Sequence, residues 1–395
     1  MLEKWARLVS SSFNAKKPIL FVFGFSRWKT FIRDWFPDHR VIIAPSKLSD
    51  EDFDREWKAT LLRDKRVSVI SWQYKGPRQL KGFCELHDIP FHYVEDGFVR
   101  SLKLGALHTP PMSLTFDRQD MYFAADRPTD LEAILESYDF QSDTLLIERT
   151  REAIGLLLSS GLSKYNSGEA LDAAELYGSK VSKRILVIGQ VENDASIAYG
   201  CKEHVNNNDL VRIARRENPN ADIIYKPHPE VLSGIAAMGS NPMDVRSIAR
   251  ILDREVSLDS ALQSIDQVYT ITSLSGFEAL LRGIKVTTIG SPFYAGWGLT
   301  DDRQPNPRRS RRLSVEEVFA AAYILYPKYL DPITCQYVEI EDALGILAEQ
   351  RKQLLPANND LVKSGEVVLA ANDGVNCAGN GARSRFAIKY PWKKF

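Results

Sequence analysis

The stretch RILVIGQVENDASIAYG, Arg184 to Gly200, reads as a strand, a turn and the start of a helix. Ile185-Leu-Val-Ile188 is a short unbroken apolar run, the pattern of a strand buried on both faces of a parallel sheet. Gly189 ends it, and Gln190, Glu192, Asn193, Asp194 and Ser196 crowd the loop that follows. Loops at the carboxyl ends of parallel strands are where open α/β sheets bind ligands. Asp194 reads either as a reactive carboxylate or as the cap of the next helix.

The same rhythm extends on both sides. Pro18–Phe23, Val41–Ala44, Val67–Ile70 and Phe91–Val94 are predicted strands, and so are Ile223–Tyr225, Val268–Thr272 and Val286–Ile289. Helices are expected between them: one capped by Ser26 and carrying Trp28, Phe31, Ile32 and Trp35, then Asp50–Leu62, Leu80–His87, Thr150–Leu162, Asn208–Glu217, Met243–Leu252, Leu274–Arg282 and Ser314–Leu325. Strands alternating with helices predict an α/β fold with parallel sheets. At 395 residues the chain exceeds one average domain. Two doubly wound, Rossmann-like domains are expected, 1–165 and 178–330, with a helical, charge-mixed connection at Tyr165–Ser179. A C-terminal helical segment at 331–355 packs back, and a weakly patterned tail covers 356–395.

Composition excludes several classes. Lys+Arg and Asp+Glu are equal at 51 each, so nothing points to nucleic acid. Cys84, Cys201, Cys335 and Cys377 are scattered without a CxxC, which gives no zinc signature and fits a reducing compartment. No apolar run reaches the length of a bilayer span and no leader is read, so a cytoplasmic protein is expected. No GxGxxG or GxxxxGK[ST] follows a strand, which weakens dinucleotide and P-loop readings. Asp52-Phe-Asp54 spells DxD but lies on an amphipathic helix, and no metal site is read.

Three motifs carry chemistry. In Ile223-Ile-Tyr-Lys-Pro-His-Pro229 two prolines fix φ around His228, so that Lys226 and His228 suit a phosphate. In Thr270–Glu278, Ser273, Ser275 and Gly276 open a helix suited to an anion. Glu278 serves there as a ribose ligand, or as the partner of a Ser275 N-cap in a capping box. Val94-Glu-Asp-Gly-Phe-Val-Arg-Ser101 supplies Glu95 and Asp96, carboxylates of the kind that flank a glycosidic bond, or a turn with Glu95 paired to Arg100. Tyr294 and Trp297 either line an acceptor channel or pack. The basic loop Pro305–Arg312 meets anionic headgroups or is solvated.

VEDGFVRS, the GA-L-PP-SL-FD run (Gly105–Asp117), ADRPTDLEAIL (Ala125–Leu135), GQVENDAS, YKPHPEV, SLSGFEALLRG and SPFYAGWGLTDDR, in this order, resemble the bacterial capsule polysaccharide β-Kdo transferases of the KpsC type. The resemblance covers about Phe21 to Leu347. It implies a GT-B-like glycosyltransferase that takes Kdo from CMP-Kdo with retention and without a metal or other cofactor. Its acceptor would be a Kdo-terminated linker on a phosphatidylglycerol-type lipid, at the cytoplasmic face of the inner membrane beside capsule assembly proteins. By the same resemblance Asp194 is the catalytic nucleophile and Glu95 the acid/base. Lys226, His228, Ser273, Ser275, Gly276, Glu278 and Gln190 fall to the donor, and Arg100, Tyr294 and Trp297 to the acceptor or sugar carboxylate. An inverting, sialic-acid-type transferase and a non-catalytic polysaccharide-binding or export module are the competing readings.

Overall fold

The computed structural model describes residues 17–102, 108–164, 166 and 168–354. The N-terminal amphipathic stretch, Gly105 of the GA-L-PP-SL-FD run, Tyr165 of the expected connection and the 356–395 tail lie outside them. By compactness the chain forms two units, one holding the residues up to Val94 and one beginning at Glu95.

The first unit is built on four parallel strands: β1 (Ile19–Phe23), β2 (Arg40–Ile43), β3 (Val67–Trp72) and β4 (Phe91–Asp96), the last running on past Val94. β1 lies between β2 and β3, and β3 pairs with β4. One face is aromatic: Phe23 meets Phe53 and Trp57 edge-on, with centroids 5.9 and 5.3 Å apart. The expected helix at Asp50–Leu62 forms with a π turn at Phe53–Trp57, which brings both rings onto β1. Ser26 does not cap a helix. A single 3₁₀ stretch, Lys29–Arg33, forms there without a side-chain cap, and Ser26 accepts the Lys29 N–H through its carbonyl.

The second unit carries the site. After the antiparallel-pairing β5 (Ser113–Asp117) come β6 (Arg184–Ile188), β7 (Asp222–Lys226), β8 (Arg250–Ile251), β9 (Gln267–Thr270), β10 (Lys285–Thr288) and β11 (Asp301–Asp302). The last six make one parallel sheet in the order β11-β10-β9-β6-β7-β8. β6 is central and fully buried. Its alternate residues serve opposite faces, as a strand's two-residue period requires. Leu186 and Ile188 join Ile224, Val268 and Phe277 on one side, and Ile185 and Val187 join Leu210, Val211 and Ala214 on the other. The register aligns Ile188 with Lys226 and with Thr270, and Thr270 with Thr288. Four strands therefore end level, and their loops open side by side.

Several expectations give way. Met243–Leu252 is not a helix: Pro242–Val245 is a 3₁₀ turn and β8 adds to the sheet edge through Ile224. Arg215 holds that bend by donating to the Ile248 carbonyl at 2.8 and 2.9 Å. Of the connection Tyr165–Ser179 only Ala173–Tyr177 is helical among the described residues. The helix expected at Thr150–Leu162 runs instead over Thr144–Ser159, beginning six residues earlier on the Asp143 cap. Two strands absent from the sequence reading, β12 (Pro327–Asp331) and β13 (Gln336–Val338), form an antiparallel hairpin, and β12 also pairs with β5. The terminal helix Ile340–Leu354 does pack back on Thr144–Ser159, where Arg149 donates to Glu341 at 2.7 Å.

The basic loop turns inward. Arg308 and Arg309 both donate to the buried carboxylate of Glu132, at 2.6 and 3.1 Å, and Arg311 donates to the Leu135 and Tyr138 carbonyls. Arg308, Arg309 and Arg311 are therefore not a solvated charge run, since they are bound to Glu132 and the carbonyls, while Pro305, Pro307, Ser310 and Arg312 stay exposed. Removing the carboxylate leaves Arg309 buried and uncompensated. Glu132→Ala should therefore lose about 3–5 kcal/mol in urea unfolding, the cost of breaking a buried pair. A loss below about 1 kcal/mol, the range of an exposed pair, would show that the contact is not structural.

Candidate active site

Three of the level strand ends pass into short helices whose first caps are the residues singled out in the sequence. Asp194 caps Ala195–Gly200, with Oδ1 accepting from the Ser196 N–H at 2.7 Å. The cap aims the carboxylate and leaves Oδ2 without a hydrogen-bond partner among the described residues. His228 caps Pro229–Leu232, its Nδ1 accepting from the Glu230 N–H at 3.2 Å. An Nδ1 that accepts cannot carry a proton, so the ring proton sits on Nε2. Ser273 caps Leu274–Leu280, its Oγ accepting from the Ser275 N–H at 3.2 Å. The capping box expected of Ser275 and Glu278 does not form, since the helix starts two residues earlier.

The electrostatics separate these groups. Burial, then Lys226, push the His228 imidazole down to about 4 against the pull of Asp194. It is neutral at physiological pH, in agreement with its hydrogen bond. Lys226 is buried, its ammonium makes no hydrogen bond among the described residues, and burial lowers it to about 8. Burial raises the Glu230 carboxyl, with Asp194 adding to the rise and Arg100 and Lys164 opposing it. Asp194, Lys226, His228, Glu230 and Lys164 thus form one interacting cluster. Glu95 is buried at the end of β4, its carbonyl accepting from Thr115 Oγ1 at 3.3 Å, and is not among the charges that set His228 or Glu230.

Other residues are committed internally. Gln190 ties its amide to the β9 loop and to its own: Oε1 accepts from the Thr272 N–H at 2.8 Å, and Nε2 donates to Thr272 Oγ1 at 3.1 Å and to Ser196 Oγ at 3.5 Å. Arg100 is paired with Asp96, not Glu95. Its Nε donates to Asp96 Oδ2 at 2.7 Å and its remaining nitrogens to Ser101 Oγ and the Thr109 carbonyl. Tyr294 and Trp297 are fully buried. The Tyr294 hydroxyl donates to the Ser273 carbonyl, and Trp297 Nε1 to the Phe293 carbonyl at 2.8 Å. Both pack, and Tyr294 braces the helix start. Gly276 is there for space: a Cβ would lie 2.2 Å from the Tyr294 hydroxyl.

Glu278 is the costly member. Its Oε1 accepts from the Lys164 N–H at 3.1 Å, while Oε2 is buried without a partner. Lys164 and Glu230 are the contributors that sequence reasoning passed over. Glu230 stood inside YKPHPEV without a role, and Lys164 lies in a polar turn that no local pattern marks. Among the described residues no group of three or more His, Cys, Asp or Glu side chains is placed to hold a metal ion, and no helix is long and apolar enough to cross a membrane.

The profile of the capsule polysaccharide biosynthesis protein family matches residues 68–329. Thermosulfurimonas dismutans KpsC, described as a β-Kdo 2,4 transferase, superposes with a TM-score of 0.69 at 31% identity, covering 83% of this chain and 97% of that one. The KpsC β-Kdo 2,7 transferase of the same organism gives 0.65 at 30% identity, over 84% and 99%. Both of these solved structures are of glycosyltransferases. LpsZ of Rhizobium meliloti, a lipopolysaccharide-processing protein, is 44% identical over 85% of this chain and 76% of its own. LipA of Neisseria meningitidis, a capsule polysaccharide modification protein, is 40% identical over 87% of this chain, which spans only 47% of LipA's length. The chain belongs to the capsule polysaccharide biosynthesis protein family.

The buried Glu278 carboxyl makes the stability of the protein depend on pH. Burial first, with the Lys164 N–H and Arg282 opposing, raises its carboxyl from 4.5 to about 7. A raised folded value means that stability present below 4.5 is lost as pH rises through about 7. Glu278→Gln removes that titration. Relative to wild type it should gain up to about 3 kcal/mol in urea unfolding at pH 8, and little at pH 5. An equal change at both pH values would contradict the assignment.

Proposed function

We propose that the chain is a retaining β-Kdo transferase that moves Kdo from CMP-Kdo to a Kdo-terminated lipid linker in capsule polysaccharide biosynthesis. The observation that carries the reading is the meeting of Asp194, Lys226 and His228 at adjacent, level strand ends, in a chain 31% identical to a β-Kdo 2,4 transferase. In this reading 178–330 binds the donor and 1–165 faces the acceptor, on the two-Rossmann plan of GT-B enzymes. The lipid is of the phosphatidylglycerol type, and the reaction runs at the cytoplasmic face of the inner membrane.

The chemistry is a double displacement. The bond between the anomeric carbon and the CMP phosphate oxygen breaks, its electron pair leaving with CMP, as the Asp194 carboxylate bonds to that carbon. His228 donates its Nε2–H to the departing phosphate, and the Lys226 ammonium neutralises the growing charge in a buried setting where charge counts most. The Ser275 hydroxyl adds a donor. The backbone N–H groups of Ser273, Ser275 and Gly276 bond within their own turn. Glu278, with its unpaired buried oxygen, takes a ribose hydroxyl. Glu95 then removes the proton of the acceptor hydroxyl as its oxygen displaces Asp194. Two inversions leave the β configuration.

The test is turnover of fresh CMP-Kdo with a Kdo-terminated lipid acceptor, with the product anomer read by NMR. Wild type should give a β-linked product, and Asp194→Asn, which keeps the helix cap, should lose about 10³-fold or more in rate. Full turnover by Asp194→Asn would remove the nucleophile, and an inverted product would replace the mechanism. Absence of any Kdo transfer would favour a binding or export module.

A second test uses pH. Because an anion binds the protonated Lys226, CMP affinity should fall as pH rises through about 8. Lys226→Met should bind more weakly with no such dependence. A wild-type profile flat from pH 6.5 to 9.5 would place the phosphate elsewhere.

A further inference from the structure

Asp194 and His228 stand on neighbouring loops, one after β6 and the other after β7. The register sets Ile188 level with Lys226, the last residues of the two strands. The Gly189 N–H still donates to the Lys226 carbonyl at 2.9 Å, and past that bond the ladder ends. Level strand ends alone therefore do not fix the carboxylate against the imidazole. Gln190 ties the loop of β9 to that of β6, and the loop of β7 needs a tie of its own.

Glu192, half-buried in the β6 loop, supplies it. Its Oε1 accepts from the Asn207 N–H at 2.9 Å and from Ser240 Oγ. Asn207 in turn grips the Gln190 backbone, its Oδ1 accepting from the N–H and its Nδ2 donating to the carbonyl, each at 2.9 Å. Ser240 lies at the far end of the loop that leaves the His228-capped helix Pro229–Leu232. That loop folds back on the helix where the Ala236 N–H donates to the Glu230 carbonyl at 2.8 Å. Its far end is held again by Asn208, whose Nδ2 donates to the Asn241 carbonyl at 2.8 Å. Ile235 and Met238, between these ties, are exposed, so burial holds the stretch little and the polar contacts carry it. Gly239 seats the carboxylate: a Cβ there would lie 2.8 Å from Glu192 Cδ and 3.1 Å from Glu192 Cβ, and closer still to Oε2. Its φ is not positive, so space and not backbone conformation calls for glycine.

We propose that Glu192 is a positioning residue: through Ser240 it ties the His228 loop to the Asp194 loop and so sets the imidazole against the carboxylate. This rests on the double displacement given above, in which Asp194 attacks while His228 donates to the departing phosphate. Both groups must be in place at one moment, and a misplacement of about 1 Å can cost about a hundredfold in rate. Lys226 and Glu278, which meet the nucleotide in the same reading, stand on β7 itself and on the helix Leu274–Leu280, outside the tie.

The experiment separates positioning from binding. Turnover of CMP-Kdo and the inhibition constant of CMP would be measured for wild type, Glu192→Ala, Glu192→Gln, Gly239→Ala and the double variant Glu192→Ala/Gly239→Ala. Glu192→Ala should lower kcat and kcat/KM equally, by about ten- to hundredfold. The CMP constant should stay within about twofold. Glu192→Gln keeps an oxygen that accepts from Asn207 and Ser240, and should recover most of the rate. Gly239→Ala displaces the carboxylate and should reproduce the loss, and the double variant should be no slower than the slower single one, as for two residues of one contact. Wild-type kcat in Glu192→Ala would overturn the proposal, and so would wild-type kcat in Gly239→Ala, which decides alone if Glu192→Ala does not fold. A loss in Glu192→Gln equal to that in Glu192→Ala would assign the role to the charge and not to the tie. A raised KM and CMP constant at unchanged kcat would make Glu192 a binding residue. Each of these overturns the proposal while leaving the transferase reading in place. Wild type that neither turns over CMP-Kdo nor binds CMP would overturn both.

Discussion

The Gln190 amide is the contact on which the site depends. It follows the central strand of the parallel sheet and contacts Thr272 with both of its polar atoms, closing a two-point clip between the loops after β6 and β9, and Nε2 also reaches Ser196 Oγ. The Gln190 carbonyl and N–H are in turn clasped by the side-chain amide of Asn207, at 2.9 Å each. With the strand ends level, the clip fixes the starting point of the turn that leads to Asp194 and of the helix that Ser273 caps. Catalytic groups placed this way stand on rigid elements and need little ordering when substrate arrives.

Around that frame the protein holds groups in states that water would not favour. His228 is kept neutral by burial and by its capping bond, and among the described residues the buried Lys226 ammonium makes no hydrogen bond and Glu278 has one oxygen with no partner. Each lowers stability in the free protein, and in the proposed reading each is the state that an arriving nucleotide would relieve: a donor for phosphate, a charge for phosphate, an acceptor for a hydroxyl. Such unsatisfied groups gather where function opposes stability. The surrounding packing compensates, chiefly the apolar layer of Phe277, Phe293, Tyr323 and Phe319 beneath the helix that carries Glu278.

Much of this was legible in the sequence where local pattern and tertiary structure agree. The apolar run of β6, the strand running into Lys-Pro-His-Pro and the alternation of strands and helices each state a buried parallel sheet in a few residues. What escaped was non-local. β5 and β12 pair across some two hundred residues, so neither shows a turn signal for the other, and the β12–β13 hairpin with its Asp331-Pro332 turn runs into the segment 331–355 expected to be helical. Arg308 and Arg309 looked like a surface charge run because their partner, Glu132, lies far back in the chain. Gln190, Arg100, Tyr294 and Trp297 carry the residue types of ligand contacts, yet the structure uses their polar atoms to hold the loops. Residue type alone cannot tell a ligand from its support.

The central claim is that Asp194 carries the sugar between donor and acceptor. Its most direct test is rapid-quench intact mass of the wild type and of Glu95→Gln mixed with fresh CMP-Kdo. Slowing the second step should let the intermediate accumulate. The account predicts a mass gain of one Kdo in Glu95→Gln, mapping by peptide fragmentation to Asp194. A β-linked product formed with no adduct at any quench time, or an adduct on another residue, would contradict it.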